Sequence, residues 1–169
     1  ARHMSCPTSA AWCALKRLCK YYSEAPVLEW SFHYQEMPKE VRSVTDANWA
    51  GELEALRSSS AGWIYFGSHL LETYSSTQQR GALSSAESEY ISITKGAAHA
   101  LEVRSALAEY GWVKTVICEA DSSAGRAMAT RRGVGRVRHL DARLLWLQEL
   151  CADGTIEIRT KSGQLNEAA

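Results

Sequence analysis

The order of the predicted elements is the feature that most restricts how this chain can fold. Three short β-prone runs, at residues 41–46, 62–67 and 70–76, are joined by short polar connections, which predicts an antiparallel meander. A helical period follows from residue 84 to about residue 110, and a fourth strand is predicted at 113–121. Because a helix between the third and fourth strands permits a parallel crossover, the sheet is predicted to be mixed.

Two more helices and a last strand complete the predicted order, at residues 122–130, 140–151 and 155–160. Alternation of strands and helices favours layers of helices packed on a sheet. The sequence therefore predicts an α/β domain over residues 41–169, with a mixed five-stranded sheet and helices on both of its faces.

Residues 1–40 are predicted to be separate from that domain. They open with four residues typical of a cloning scar and continue with an amphipathic helix at 9–23. A strand is predicted at 27–34, where Leu28, Trp30 and Phe32 alternate with polar residues.

Charge and cysteine content disfavour several classes of protein. The 19 Lys and Arg balance the 19 Asp and Glu, so no overall basic excess indicates a nucleic-acid partner. Five cysteines without C-x-x-C spacing support neither a disulfide framework nor a zinc site, and no apolar run is long enough for a membrane span. Positive charge is concentrated locally, because residues 122–143 contain one acid, Asp141, and six arginines: Arg126, Arg131, Arg132, Arg136, Arg138 and Arg143.

Three carboxylates are predicted to meet at the ends of elements. Asp46 ends the first strand of the meander, and Asp121 ends the fourth strand. Glu89 lies on the inward line of the long helix, whereas Glu87 points away from that line and fits a capping role. If the first and fourth strands are neighbours, the three acids converge. Carboxylates brought together repel one another unless a hard divalent cation neutralises them, and Mg²⁺ is the obvious candidate.

Each acid also has an ordinary structural explanation. Asp121 precedes two serines and could be a helix N-cap, and Asp46 could form an Asx turn. Glu89 could be a first-turn acid favoured by the helix dipole. The metal hypothesis therefore depends on the three acids together, in one topological order.

Several of these segments resemble a known family. TDANWAG at 45–51, RSSSAG at 57–62 and ALSSAESEY at 82–90 are similar to motifs of the ribonuclease H region in copia-type LTR retrotransposon polyproteins. RHLD at 138–141 and GTIEI at 154–158 resemble its late helix and last strand. The helix around residues 14–21 resembles the end of the reverse transcriptase that precedes this region, so residues 1–40 are expected to carry a helix and a strand of that domain.

The resemblance implies a ribonuclease H fold and endonucleolytic cleavage of the RNA strand of RNA:DNA hybrids during reverse transcription. It implies two bound Mg²⁺ ions, with Mn²⁺ as an alternative, and assigns Asp46, Glu89 and Asp121 as catalytic and metal-binding residues. The partners it implies are the hybrid and the reverse transcriptase domain of the same polyprotein, without a membrane. The expected location is intracellular, in the cytoplasm or a virus-like particle.

One position departs from the family pattern. The family places a fourth metal-binding Asp after its last strand, and Ala169 occupies that position here unless the register is off by one. Asp141 is a candidate substitute, although it equally suits a structural ion pair or cap. The alternative function is therefore a weakened or inactive hybrid-binding module of a decayed element, and a third is DNA cleavage by an integrase-like or resolvase-like domain.

Candidate substrate contacts are polar and basic residues near the expected carboxylates. Recognition of a hybrid requires contacts to 2′-hydroxyls and phosphates, for which the candidates are Asn48, Ser85, Gln78, Gln79, Arg131, Arg132, Arg138 and His139. Each has an alternative: Asn48 in a turn, the glutamines as loop residues, His139 as a structural residue, and the arginines in a solvated loop paired with Glu52 and Glu54. Trp49 and Trp63 are predicted to be core or sheet-face aromatics rather than base-stacking platforms.

Overall fold

The fold is taken from a computed structural model that describes residues 6–27, 29–52, 57–79, 81–112, 114–133 and 142–161, with the backbone alone at 51–52 and 142–144. The chain divides into two compact units, residues 1–34 and 35–169. The boundary lies six residues before the predicted one. None of the described helices is long and apolar enough to cross a bilayer.

The first unit contains helix α1 (Ser9–Glu24). Thr8 caps it, because its side-chain oxygen accepts a hydrogen bond from the backbone N–H of Ala11 at 3.1 Å. The predicted strand at 27–34 is wrong, since the described residues between α1 and residue 39 form no strand. Trp30 and Phe32 are 42% and 56% exposed. Alternation alone does not make a strand where no neighbouring strand supplies backbone hydrogen bonds.

The described residues of the second unit form five strands and three helices in the predicted order. They are β1 (Glu40–Glu52), β2 (Arg57–Phe66), β3 (His69–Thr77), α2 (Ser85–Glu109), β4 (Thr115–Ala120), α3 (Ser123–Thr130), α4 (Ala142–Ala152) and β5 (Ile156–Thr160). The strand order is β3-β2-β1-β4-β5. Strands β1 to β3 are antiparallel, and β4 is parallel to both β1 and β5. The predicted mixed five-stranded sheet is confirmed.

Strand β1 is longer than predicted, so Asp46 does not end it. The strand continues to Glu52 in antiparallel pairing with β2, through an irregularity after Asn48 where Ala50 adopts a φ of 50°. Its parallel pairing with β4 stops at Val44, opposite Glu119. Asp46 therefore lies inside β1 but just beyond the point where the neighbouring strand ends.

One hydrophobic core joins the helices to the sheet. Its strand side chains include Val41 on β1 and Val116 and Cys118 on β4, whose spacing of two places them on one sheet face. Helices α2, α3 and α4 contribute Ile93, Met128 and Leu147, among others, to the same core. Helices were predicted on both faces of the sheet, and the three described helices of this unit supply the layer on this one.

The start of α2 is fixed by two reciprocal hydrogen bonds. The hydroxyl of Ser84 accepts from the backbone N–H of Glu87 at 3.2 Å, and the Glu87 carboxylate accepts from the N–H of Leu83 at 2.9 Å. The first bond satisfies a donor that the first turn of the helix leaves unpaired, and the second ties Glu87 back to the residue before the cap. The predicted capping role of Glu87 is confirmed, which separates it from Glu89.

Helix α2 approaches β1 closely at Gly96. A Cβ at this position would overlap the side chains of Ser43 and Thr45, both of which are completely buried. The absence of a side chain thus sets the distance between the helix and the strand that carry two of the three candidate acids.

Replacing Gly96 with alanine is expected to destabilise the domain by about 1–3 kcal/mol, because overpacking outweighs the roughly 1 kcal/mol that alanine gains in a helix. Urea unfolding measures the effect. The exposed Ser105→Ala on the same helix is the control and should change stability by less than about 0.5 kcal/mol. A more stable Gly96→Ala variant would contradict the close approach.

Candidate active site

Three carboxylates from distant parts of the sequence meet at one end of the sheet. Asp46 comes from β1, Glu89 from the beginning of α2, and Asp121 directly follows β4. One carboxylate oxygen of each lies within 4.8 Å of those of the other two. Glu89 is 7% exposed, Asp46 is half-buried and Asp121 is exposed, so the cluster opens to solvent on one side.

A hydrogen bond between β1 and α2 holds the first two acids together. The Ser92 hydroxyl, completely buried one turn after Glu89, donates to the backbone carbonyl of Asp46 at 2.7 Å. The backbone N–H of Ala47 lies near both carboxylates and lowers the pKa of each against the stronger effect of burial. The relative position of the two acids is therefore set by the bond from Ser92 to the backbone of β1.

Helix α3 supports Glu89 from the other side. A Cβ at Gly125 would lie 3.1 Å from the Cβ of Glu89, so this small residue lets the two helices meet. The N-cap of α3 is Ser122, whose hydroxyl accepts from the N–H of Gly125 at 3.0 Å. The helix cap is thus provided without Asp121, whose carboxylate faces the cluster instead.

The structure disfavours the other two ordinary explanations as well. Asp46 lies within a paired strand rather than an Asx turn. The first-turn acid of α2 is Glu87, and Glu89 follows it on the buried side of the helix. The helix dipole is therefore not the reason for the position of Glu89.

Burial and mutual repulsion oppose ionisation of the cluster. Burial raises the pKa of Glu89 to about 7, and the nearby charges of Asp46 and Asp121 add to that rise against the lowering effect of the Ala47 N–H. Burial and the charge of Asp121 also raise the pKa of Asp46. A nearby positive charge would therefore favour the ionised form of all three carboxylates.

A divalent cation fits this donor set. The Oε2 atom of Glu89 is buried and has no hydrogen-bond partner among the described residues. None of the ion pairs found in the described ranges includes Asp46, Glu89 or Asp121. Hard cations such as Mg²⁺ prefer carboxylate oxygens, and a cation here would offset the repulsion between the three acids.

The structure describes six of the eight predicted substrate contacts, of which Gln79, two residues after β3, is exposed. Asn48 is exposed on β1, two residues from Asp46, and Ser85 is exposed at the first position of α2. Arg131, half-buried, and Arg132, exposed, directly follow α3. Other predicted residues lie outside the described side chains: Glu52, Glu54, Arg138, His139, Asp141 and Ala169.

Two predicted side chains have different surroundings from those expected. Gln78 is 5% exposed and donates to Ser60 and Ser88, so it is a buried link between β3, β2 and α2 rather than a loop residue. Trp49 is 49% exposed and donates its indole N–H to the carbonyl of Ala82 at 3.0 Å. Trp49 is therefore not part of the core. It lies within strand β1, in keeping with the sheet-face alternative, and its ring is held at the surface where the chain enters α2.

Sequence analysis missed Ser92. Its position three residues after Glu89 places it on nearly the same side of α2, and a small hydroxyl residue on an inward helix face is a detectable signal. The identity of its partner depends on how α2 packs on β1, which the sequence pattern does not specify.

The raised pKa of Glu89 predicts how the stability of the metal-free protein depends on pH. Because the folded pKa of about 7 exceeds the ordinary value of 4.5, the folded state binds more protons between these values. In EDTA, the free energy of unfolding should therefore fall as the pH rises through this window.

Urea unfolding at about pH 5 and about pH 8 tests this expectation. The Glu89→Gln variant should lose much of the difference in stability between the two pH values, whereas Glu109→Gln, at the exposed end of α2, should retain it. If the wild type instead gained stability between these two pH values, by as much as Glu89→Gln does, the result would contradict the expected protonation of Glu89.

Removing the Ser92 hydroxyl should loosen the cluster. We expect Ser92→Ala to cost about 1 kcal/mol of stability and to weaken Mn²⁺ binding, because the hydroxyl joins the two elements that carry Asp46 and Glu89. Calorimetric Mn²⁺ titration and urea unfolding measure the two effects. Ser105→Ala is the matched control, since it removes a hydroxyl bonded only within α2, to the carbonyl of Leu101. Unchanged Mn²⁺ affinity in Ser92→Ala would be evidence against this role.

The chain has sequence relatives among mobile elements. The retrovirus-related Pol polyprotein from transposon RE2 of Arabidopsis thaliana is 30% identical over 112 residues, which are 66% of this chain and 8% of that polyprotein. The Pol polyprotein from transposon TNT 1-94 of Nicotiana tabacum is 27% identical over 132 residues, 76% of this chain and 10% of that polyprotein. The chain thus spans about a tenth of the length of these relatives.

A third sequence relative is not named as a Pol polyprotein. Secreted RxLR effector protein 161 of Plasmopara viticola is 32% identical over 96 residues, which are 57% of this chain and 66% of that protein. No family model matches the chain.

Solved structures show the fold. LC11-RNase H1, isolated from compost, has a TM-score of 0.52 at 14% identity, covering 76% of this chain and 88% of its own. The N-terminal RNase H domain of rv2228c from Mycobacterium tuberculosis has a TM-score of 0.50 at 15% identity, covering 75% and 85%. The prototype foamy virus protease–reverse transcriptase also has a TM-score of 0.50, at 13% identity, covering 79% of this chain and 18% of its own. The chain therefore has the ribonuclease H fold, and its sequence is similar to a segment of the Pol polyproteins of plant transposons.

Proposed function

We propose that this domain is an endonuclease that hydrolyses the RNA strand of RNA:DNA hybrids during reverse transcription of a retrotransposon. The observation that carries the proposal is the cluster of Asp46, Glu89 and Asp121, whose oxygens lie within 4.8 Å of one another without a basic partner among the described residues. The fold and the sequence relatives support the same reaction class.

The three carboxylates are proposed to hold divalent cations, two Mg²⁺ ions or Mn²⁺ in their place. When bound, such ions lower the pKa of water and stabilise the charge that develops on the leaving oxygen of a phosphodiester. The protein residues supply the geometry: Ser92 fixes Asp46 relative to Glu89, and Gly125 lets α3 support Glu89. Asp141 remains a candidate fourth carboxylate.

Substrate contacts are proposed on both sides of the carboxylates. Asn48 and Ser85 are exposed and small enough to bond 2′-hydroxyls in the shallow minor groove of a hybrid. Arg131 and Arg132 lie where positive charge would meet phosphates without reading sequence. Arg138 and His139 are further candidates for phosphate contacts, on the evidence of the sequence.

The proposed partners are the hybrid and the reverse transcriptase domain of the same polyprotein. Residues 1–34 form their own unit, and the chain spans about a tenth of its Pol relatives, which supports a larger assembly around this domain. Reverse transcription would place the domain in the cytoplasm or in a virus-like particle.

Cleavage of a labelled RNA:DNA hybrid tests the proposal. We expect the RNA strand to be cut with Mg²⁺ or Mn²⁺ and the DNA strand to remain intact. Asp46→Asn and Asp121→Asn should each lower the rate by at least about 100-fold, because each removes a charge from the cation site. Both variants should still bind the hybrid, and wild-type activity in both variants would reveal a contaminating nuclease.

The other outcomes separate the alternative functions. Binding without cleavage by either metal would favour an inactive hybrid-binding module, and cutting of duplex DNA would favour an integrase-like or resolvase-like activity. Absence of both binding and cleavage would contradict the proposed function.

A further inference from the structure

Gln148 on α4 is a buried amide whose hydrogen bonds all reach other elements of the fold. It is 7% exposed. Its Nε2 donates to the carbonyl of Met128 at 2.8 Å and to the carbonyl of Gly133 at 3.2 Å, while its Oε1 accepts from the N–H of Gly133 at 2.8 Å. Both amide hydrogens and the carbonyl oxygen are therefore used.

These bonds hold the three residues that follow α3, which we call the arginine turn (residues 131–133). The carbonyl of Met128 is one of the last in α3, and a helix leaves such carbonyls without partners of its own. Gly133 has a φ of 76°, a left-handed conformation that favours glycine, and both of its backbone polar groups are bonded to Gln148. One side chain thus closes the helix end and fixes the turn.

Gln148 also connects the turn to α3, the helix that supports Glu89. It donates to Met128 on α3, and Gly125 on the same helix lies against the Cβ of Glu89. The route from Glu89 to the arginine turn therefore passes through α3 and Gln148. It involves three elements that are distant in sequence.

Arg132 in the arginine turn carries a positive charge that can bind an anion. Arg132 is exposed, and no ion pair joins it to the described residues. A cleft of about 560 Å³ separates the turn from α4, lined by Arg132, Gly133, Leu145, Gln148, Glu149, Ala152 and Asp153. The Gln148 side chain spans this cleft. Among the described side chains, it is the one that bonds Gly133 to α4.

We propose that Gln148 is a positioning residue that fixes Arg132 relative to the carboxylate cluster, so that both engage the backbone of one bound nucleic acid. The inference rests on the proposed function, because it takes a phosphate as the ligand of Arg132. Gln148 itself does not touch the substrate. It acts by keeping the arginine turn at a constant position relative to α2.

Hybrid binding measured as a function of salt tests this role in the 169-residue chain, with Ca²⁺ in place of Mg²⁺. Loss of one phosphate contact lowers the slope of log K against log[salt] by about 0.9. We expect this decrease for Arg132→Ala and for Gln148→Met, and no further decrease in the double variant, since Gln148 acts through Arg132.

Gln78→Met is the matched control. Gln78 is also a buried amide with three hydrogen bonds, but they join β3 to β2 and α2 away from the turn. It should lose stability as Gln148→Met does while keeping the wild-type salt slope. If Gln148→Met does not fold, Gln148→Glu replaces it, since Glu keeps an acceptor for the Gly133 N–H and loses the two donors.

Limited digestion with trypsin adds a readout that needs no nucleic acid. In Gln148→Met, cleavage after Arg131 or Arg132 should become about tenfold faster than in Gln78→Met, because the turn opens locally. Mass spectrometry distinguishes these products from cleavage at the later arginines.

The outcomes separate this inference from the proposed function. A Gln148→Met variant with the wild-type salt slope and a protected arginine turn would overturn the inference and leave the function standing. The inference would also be overturned if the decreases in salt slope caused by Gln148→Met and Arg132→Ala simply added in the double variant. A wild-type chain that fails to bind the hybrid would overturn the proposed function and, with it, this role for Gln148.

Discussion

Repulsion between three carboxylates is the constraint around which this domain is arranged. Asp46, Glu89 and Asp121 are brought within 4.8 Å although burial and their own charges disfavour ionisation. A fold tolerates such a cluster only where other contacts are strong enough to hold it. Here those contacts are the parallel pairing of β1 with β4 and the packing of α2 on β1, which together fix the positions of all three acids.

The packing of α2 on β1 and β2 involves small and polar residues beside the apolar core. The layer beneath the helix contains buried hydroxyl and amide side chains: Ser43, Thr45, Ser58, Ser60, Gln78, Ser88 and Ser92. Gly96 brings the helix down onto this layer, and Ser92 bonds it to the backbone of Asp46. Short side chains with directional bonds place a helix more accurately than apolar contacts alone, which suits a site whose oxygens must be held at fixed separations.

The sequence predicts the order of the elements and the carboxylate cluster well, for related reasons. Period-two runs and a long helical run determine which strands can be neighbours, and neighbouring strands bring Asp46 and Asp121 to the same end of the sheet. The extent of β1 was less predictable, because a β-bulge with Ala50 at positive φ lets a strand continue through residues that resemble a turn. The prediction of a strand at 27–34 is wrong because alternating apolar residues indicate which side of a strand would be buried, but not whether another strand lies beside it.

The contacts that orient the site were beyond sequence analysis. The hydrogen bonds of Ser92, Trp49 and Gln148 each join residues far apart in the chain, so their existence depends on how the helices pack and on the register of the strands. Gln78 also shows that sequence alone does not reveal tertiary contacts. A polar residue just after β3 suggests an exposed loop, yet tertiary packing buries this one.

The most direct test of the central claim is anomalous X-ray scattering from crystals soaked in Mn²⁺. The account predicts a manganese peak in contact with carboxylate oxygens of Asp46, Glu89 and Asp121 together. Crystals with saturating Mn²⁺ that show no peak there, or that place one of the three carboxylates too far away to share an ion with the other two, would contradict it.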